Sequence, residues 1–210
     1  MHITGVSAFL RMCGAFFMRR TFRGDPMYKA VFTEYVTQLV RDKTVIEFFV
    51  EGTRSRTNKM LSPKFGILSI MTNTFFDKTV EEISFIPVNV NYTRTLEDGS
   101  FPGELTGNAK VKESLGRITG ALDTINFNYG SLHLDFHDPI NITEDLRAVT
   151  ETRPKGFDPF LNKKDRLFYN NHLGYKLIFD LQKRTMIMPT TLVATILLLY
   201  RKGISEQSMH

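Results

Sequence analysis

The sequence predicts an α/β fold in which a mixed, largely parallel sheet is flanked by helices and followed by a C-terminal helical segment. The order strand, helix, strand over residues 45–90 is typical of a crossover unit, which joins parallel strands. Residues 171–202 predict two helices broken near Pro189. The composition, 42% hydrophobic and 23% charged, is that of an ordinary globular chain.

Each helix and strand of the crossover unit is predicted from the residues of its own segment. Asp25 and Pro26 predict a helix start, because Asp suits the N-cap and Pro the first helical position. Apolar residues then recur at helical spacing to about Arg41. The apolar run 45–50 predicts a buried strand. Residues 64–76 predict the second helix and residues 83–90 the next strand.

Two further elements are predicted beyond the crossover. An amphipathic helix is marked by Leu115, Ile118, Leu122 and Ile125. Apolar and polar residues then alternate over residues 132–137, which predicts a half-buried strand with a polar outer face.

A polar connection predicts how the chain divides. Residues 146–170 are rich in charged residues, Pro and Gly, and we interpret them as a linker. Residues 1–145 then form one unit and residues 171–210 the helical segment of a following domain.

Charge and cysteine content limit the classes of function and compartment. The formal net charge is +5 and no nucleic-acid motif is visible, so a phosphorylated ligand or an anionic membrane surface is favoured over nucleic acid. Cys13, the single cysteine, excludes an internal disulfide and favours an intracellular setting. Its apolar neighbours predict a small buried residue. The apolar stretch 186–200 is too short to span a bilayer and predicts a core or an interfacial helix.

The most informative segment follows the predicted strand 45–50. Gly52 permits a tight turn or a close approach to a ligand. Arg54 and Arg56 point to the same side if the backbone is extended, and paired guanidinium groups bind phosphate bidentately. The loop would lie at the carboxyl edge of the sheet, where open α/β folds bind ligands. The alternative is a surface loop in which Glu51 pairs with one arginine.

Three segments resemble, in order, motif blocks of the glycerol-3-phosphate and dihydroxyacetone-phosphate acyltransferases. Residues 14–20 (GAFFMRR) resemble the second block, a Gly-x-x-Phe-x-x-Arg pattern. Residues 49–56 (FVEGTRSR) resemble the third. Residues 85–88 (FIPV) resemble the fourth, an apolar run with a proline.

The resemblance covers about residues 8–140 well and residues 171–200 more loosely. Residues 10–12 (LRM) and Thr53 are most similar to the dihydroxyacetone-phosphate branch of the family. The resemblance thus identifies residues 1–145 as the C-terminal part of an acyltransferase domain.

The resemblance also implies site residues. The acceptor phosphate would be bound by Arg54, Arg56 and Arg20, with Arg19 left in solvent. Glu51 would position the arginines or bind an acceptor hydroxyl, or would serve only as a salt-bridge partner. The remaining support residues of the substrate site would be Gly52, Thr53, Gly14, Phe17 and Pro87.

The implied chemistry is acyl transfer from acyl-CoA, the co-substrate, to the primary hydroxyl of dihydroxyacetone phosphate in ether-lipid and glycerophospholipid synthesis. Glycerol 3-phosphate is the alternative acceptor. No metal and no redox cofactor is implied. Peripheral contact with the peroxisomal membrane is expected, with the mitochondrial or endoplasmic reticulum membrane as alternatives. An enzyme of the next ether-lipid step is a further expected partner.

The family's first block, His-x-x-x-x-Asp, supplies the general base. His2 does not provide it, because Ser7 stands five residues on. We expect a piece of a longer acyltransferase with little or no activity alone, and the alternative is a non-catalytic product that binds substrate or a partner. His133 and Asp138 have the spacing, but residues five apart in a strand project to opposite faces, which favours a structural strand.

Overall fold

The computed structural model describes residues 4–19, 21–22, 24–53, 55, 59–92 and 130–200. In chain order, the elements within these ranges are α1 (Thr4–Met12), α2 (Pro26–Arg41), α3 (Phe65–Phe76), β1 (Ser84–Phe85), β2 (Val88–Tyr92), β3 (Leu132–Phe136), β4 (Ile140–Asn141), α4 (Ile142–Glu151), α5 (Lys163–Lys183) and α6 (Pro189–Leu199). Within the described ranges, no helix combines the length and the apolar character needed to cross a membrane.

The helices that flank the predicted site form as expected. Helix α2 begins at Pro26, and the Asp25 side chain caps it by accepting the Tyr28 backbone N–H at 2.9 Å. Helix α3 begins one residue later than predicted and ends at Phe76, as expected. The predicted helix at 115–125 lies outside the described residues.

The predicted strand over residues 45–50 is wrong. The stretch has no strand ladder, although its side chains alternate between solvent and core. Val45 and Phe49 are 96% and 78% exposed, whereas Val50 is buried. Phe48 packs edge-on against Phe85 of β1, with ring centroids 6.5 Å apart. No strand in the described residues is hydrogen-bonded to this stretch, so its period-two burial alone does not make it a strand.

The prediction of a largely parallel sheet is not confirmed, because the strands in the described part of the chain pair antiparallel. β1 pairs with β4, so that Phe85 lies opposite Ile140, and β2 pairs with β3, so that Val88 lies opposite Phe136. The two pairs form separate two-stranded sheets, and between them two residues on one side stand opposite three on the other. Pro87 stands at this break and has no N–H to donate to a ladder.

The strand predicted at 132–136 is confirmed, but its faces are reversed. The apolar side chains of β3 are exposed, as in Leu134 at 53% and Phe136 at 66%, whereas His133 and Asp135 are half-buried. On β2, the buried Asn89 amide donates to the Leu181 carbonyl of α5 at 2.9 Å. On this inward face, α5 therefore supplies a backbone carbonyl that pairs the buried Asn89 amide.

The core joins both halves of the chain. Helix α5 lies against α3, and the ring of fully buried Tyr169 packs edge-on against Phe76 at 5.5 Å. A buried hydrogen bond of 2.5 Å also links the Thr72 hydroxyl to the Asn170 side-chain oxygen. Part of the predicted linker is helical, because α4 runs to Glu151. The division into domains stays a prediction.

Candidate acceptor-binding site

The loop after residue 50 is closed at its base by two hydrogen bonds. The Lys64 backbone N–H donates to the Val50 carbonyl at 2.7 Å. The Leu61 backbone N–H donates to Oε2 of Glu51 at 2.6 Å. We call residues 51–63 the site loop. Its two ends are held side by side at the start of α3, where the helix packs into the core.

Glycine is required at the first bend of the site loop. Gly52 has φ of +65°, a conformation that side chains with a Cβ rarely adopt, and its N–H closes a turn to the Phe49 carbonyl at 2.9 Å. A Cβ added there would stand 2.9 Å from Cγ of Lys64. The stem of Lys64 therefore lies directly over the turn. The tight turn agrees with the first of the two roles expected of Gly52, and the close approach to a ligand stays a prediction.

The three arginines predicted to bind phosphate lie outside the residues that the structure describes. Arg54, Arg56 and Arg20 are not among the described residues, so their phosphate contacts stay predictions. Thr53 is exposed, and Ser55 is half-buried. The contact described for Glu51 is to a backbone N–H of its own loop, a structural role that sequence reasoning missed because the partner lies ten residues away.

Gly14 ends helix α1. Its φ is +88°, its N–H donates to the Arg11 carbonyl at 3.0 Å, and the Ala15 N–H donates to the Leu10 carbonyl at 2.9 Å. This pair of bonds is the Schellman arrangement, in which glycine takes the left-handed position. Phe17 is 53% exposed, and the Arg11 guanidinium lies 5.6 Å from its ring centroid.

Arg19 is 61% exposed, as expected, and its side chain also binds the start of α2. Its Nη1 donates to Oδ2 of Asp25 at 2.6 Å, and its guanidinium lies 4.4 Å from the Tyr28 ring centroid. The pKa of Asp25 lies below its usual value, mainly because the carboxylate accepts the Tyr28 backbone N–H. The hydrogen bond from the Arg19 side chain is the second cause. Cys13 is an exposed thiol, and the prediction that it is buried is therefore wrong.

Pro87 lies beside a second polar group. The Pro87 carbonyl accepts the His137 backbone N–H at 3.0 Å between the two small sheets. The His137 imidazole is buried, and its Nε2 lies 3.5 Å from Oδ2 of Asp135 without a hydrogen-bond partner among the described residues. Asp138, by contrast, is exposed and pairs with Arg184 at 3.0 Å. The interpretation of residues 132–138 as a structural strand and its exit agrees with these contacts.

A charged cluster lies between α4 and α5. Buried Asp145 accepts from Nζ of Lys176 at 2.5 Å, and Nε2 of His172 lies 3.6 Å from its second oxygen. Burial, and then the charge of Asp145, raise the pKa of Tyr169 far above its ordinary value. Among the residues that the structure describes, no group of three or more His, Cys, Asp or Glu side chains is placed to hold a metal ion.

Comparison with known families identifies the chain. The family model of the glycerol-3-phosphate acyltransferase C-terminal region matches residues 102–210. The acyltransferase family model matches residues 1–91, which include the site loop. The chain belongs to the glycerol-3-phosphate acyltransferase family. The resemblance in its three motif blocks is thereby confirmed.

Named relatives fall in two groups. The chain is 37% identical to the dihydroxyacetone phosphate acyltransferase of Homo sapiens over 210 residues, 97% of this chain and 31% of the relative. The Mus musculus protein of that name is 37% identical, over 92% of this chain and 29% of the relative. The glycerol-3-phosphate acyltransferase of Pseudomonas syringae pv. tomato is 39% identical, over 97% and 25%. The chain thus spans between a quarter and a third of the length of these relatives.

Proposed function

We propose that the chain holds the acceptor phosphate in an acyl-CoA-dependent O-acyltransferase, and that the acceptor is dihydroxyacetone phosphate. The closed base of the site loop is the observation that carries the proposal. Arg54 and Arg56 follow Gly52 by two and four residues, so connectivity keeps their Cα atoms within about 7 and 14 Å of a fixed turn. Two guanidinium groups on so short a tether suit one phosphate.

The acceptor hydroxyl attacks the thioester carbonyl carbon in this reaction. Its proton passes to a general base, and the CoA sulfur departs as the leaving group. The arginines would hold the phosphate and so fix the distance of the hydroxyl from the thioester, which is a proximity effect. The proposal assigns acceptor binding to this chain and leaves the proton transfer to a group outside it.

The choice of acceptor rests on a few residues. Dihydroxyacetone phosphate and glycerol 3-phosphate share the phosphate and the primary hydroxyl, and both names occur among the relatives. Thr53 and residues 10–12 favour the dihydroxyacetone-phosphate branch. A role in ether-lipid synthesis at the peroxisomal membrane follows from the same branch and is part of the proposal.

Acceptor binding to the 210-residue chain tests the proposal. Calorimetric titration compares dihydroxyacetone phosphate, glycerol 3-phosphate and dihydroxyacetone, which has no phosphate. Arg54→Ala and Arg56→Ala should each weaken binding of the phosphate compounds by about 1.5–3 kcal/mol, or roughly ten- to a hundredfold, because each removes charge-assisted hydrogen bonds. Lysine should restore part of the loss, since it keeps the charge without the planar fork.

Matched variants separate the outcomes. Arg147→Ala removes an exposed arginine from α4 and should leave affinity unchanged. Unaltered affinity in both site-loop alanine variants would refute the phosphate assignment. A lowered melting temperature with equal losses for all ligands would indicate the alternative, a structural arginine–Glu51 pair. Tighter binding of glycerol 3-phosphate would overturn the choice of acceptor alone.

A further inference from the structure

Lys64 stands where the start of a helix ordinarily carries an acidic or a neutral polar residue. It is the N-cap of α3, its side chain makes no capping hydrogen bond, and the first turn of α3 contains no acidic residue. By contrast, the side chains of Asp25, Asn141 and Asn162 cap α2, α4 and α5. Because the N-terminus of a helix carries partial positive charge, a lysine at this position is electrostatically unfavourable for the helix.

The base of the site loop fixes the position of Lys64. Its backbone N–H donates to the Val50 carbonyl at 2.7 Å. Gly52 lies so close to the side chain that an added Cβ would stand 2.9 Å from Cγ of Lys64 and 3.3 Å from its Cβ. A side chain at position 52 would push this stem aside. The glycine that makes the turn therefore also leaves the room in which the lysine stem lies.

The positive charge of Lys64 is not compensated within the described residues, whose ion pairs all use other side chains. Glu51 is the acid of the site loop, and its Oε2 accepts the Leu61 backbone N–H at 2.6 Å. Lys64 is exposed, and a Cβ added at Gly66, two residues further on, would meet nothing within 4 Å. An uncompensated cation beside open space at a helix start complements an anion.

We propose that Lys64 is a third binding residue for the acceptor phosphate, together with Arg54 and Arg56. The inference rests on the proposed function and deepens it. Connectivity keeps the Cα atom of Arg54 within about 7 Å of Gly52, and the Lys64 stem lies over that same glycine. One phosphate between them accepts hydrogen bonds from the ammonium group and offsets the unfavourable charge at the start of α3. A residue that breaks a local rule in this way is typical of a functional site.

Lys64→Met tests the inference in the full chain, because methionine keeps a stem over Gly52 and removes the ammonium group. Calorimetric titration with dihydroxyacetone phosphate and with glycerol 3-phosphate should give an affinity about tenfold lower than that of wild type, or lower still, since one charge-assisted hydrogen bond is lost. Lys64→Arg should retain most of the affinity, because it keeps the positive charge.

The stability of the ligand-free protein separates a binding role from a structural one. Removing a positive charge from a helix start favours the helix, so ligand-free Lys64→Met should melt at the wild-type temperature or above it. Glycerol 3-phosphate at a fixed concentration should then raise the melting temperature of this variant less than that of wild type, since stabilisation by a ligand follows its affinity.

Lys78→Met is the matched control. It removes an exposed lysine just beyond the opposite end of α3. The 12 residues of α3 make a helix of about 18 Å, which exceeds the screening length of about 8 Å at physiological salt. An equal change of net charge at that distance should leave the affinity for both phosphate compounds at the wild-type value.

The outcomes distinguish this inference from the proposed function. Wild-type affinity in Lys64→Met, alongside weakened binding in Arg54→Ala, would overturn the inference and leave the proposed function standing. A lower melting temperature of ligand-free Lys64→Met would make Lys64 a structural residue and would also overturn it. Weakened binding in Lys64→Met, with wild-type affinity in both arginine variants, would support Lys64 and refute the arginine pair. Wild type that binds neither phosphate compound would overturn both proposals.

Discussion

Tyr169 shows how one buried side chain can set the alkaline limit of the fold. Its ring is fully buried between α3 and α4, and its hydroxyl lies 3.4 Å from the Ile142 carbonyl. Burial and the negative charge of Asp145 both penalise the phenolate, so the folded protein keeps this proton where the unfolded chain loses it. The unfolded chain should ionise near pH 10, the ordinary tyrosine value.

We expect the free energy of unfolding to fall as pH rises above about 10, by up to ~1.4 kcal/mol per pH unit from this residue. The sign follows because the pKa is raised in the folded state, so the stabilisation is complete below the unfolded pKa and is lost above it. Tyr169→Phe should flatten the fall. Urea unfolding midpoints, followed by circular dichroism at pH 8 and pH 11, measure this fall in stability. The control is Tyr175→Phe, whose ring is 56% exposed, and parallel curves for both variants and wild type would contradict the assignment.

At the scale of elements, the contact between α3 and α5 depends on the absence of a side chain. Gly174 is buried on α5, and a Cβ there would stand 2.6 Å from Cε1 of Phe65 and 3.3 Å from Cβ of Pro63. Pro63 ends the site loop, and Phe65 begins α3. The packing of α5 therefore bears directly on where the site loop meets α3.

Gly174→Ala should destabilise the protein although alanine favours helices. The gain in propensity is about 1 kcal/mol, whereas overpacking a closed contact costs typically 1–3 kcal/mol. Gly66 offers a matched control on α3, because a Cβ there meets nothing within 4 Å and the residue is exposed. Gly66→Ala should raise the melting temperature by a few degrees and Gly174→Ala should lower it. Melting-temperature shifts of the same sign would show that the α3–α5 contact can adjust to the added methyl group.

The sequence predicts those elements whose cause is local. Asp25 with Pro26, and Pro189, mark helix starts that the structure confirms, because capping and proline geometry need no distant partner. Whether the strands pair parallel or antiparallel could not be predicted from the sequence, because it depends on which distant strands come together in the fold. β2, which follows Pro87 and contains Asn89, pairs with β3. In the site loop, the glycine turn at Gly52 was predictable, whereas the bond from Leu61 to Glu51 depends on how the loop folds back.

At the scale of the whole molecule, both halves of the chain contribute to one core. Leu68 and Phe76 of the first half and Leu173 of the second are fully or almost fully buried in the same cluster. A following domain that folds by itself would have its own core instead. The shared core therefore predicts that the two halves unfold together, and this expectation tests the predicted boundary at residues 146–170.

We expect a single cooperative transition. Leu68→Ala and Leu173→Ala lie on opposite sides of the boundary, and each should destabilise the chain by about 2–5 kcal/mol by leaving a cavity in the shared core. If the core is one unit, either variant shifts the whole urea transition to a lower midpoint with its slope retained. Circular dichroism follows the helices, and amide exchange at α2 and α5 reports each half separately. A Leu173→Ala variant in which α5 exchanges early while α2 keeps wild-type protection would show two independent units and place a true domain boundary between them.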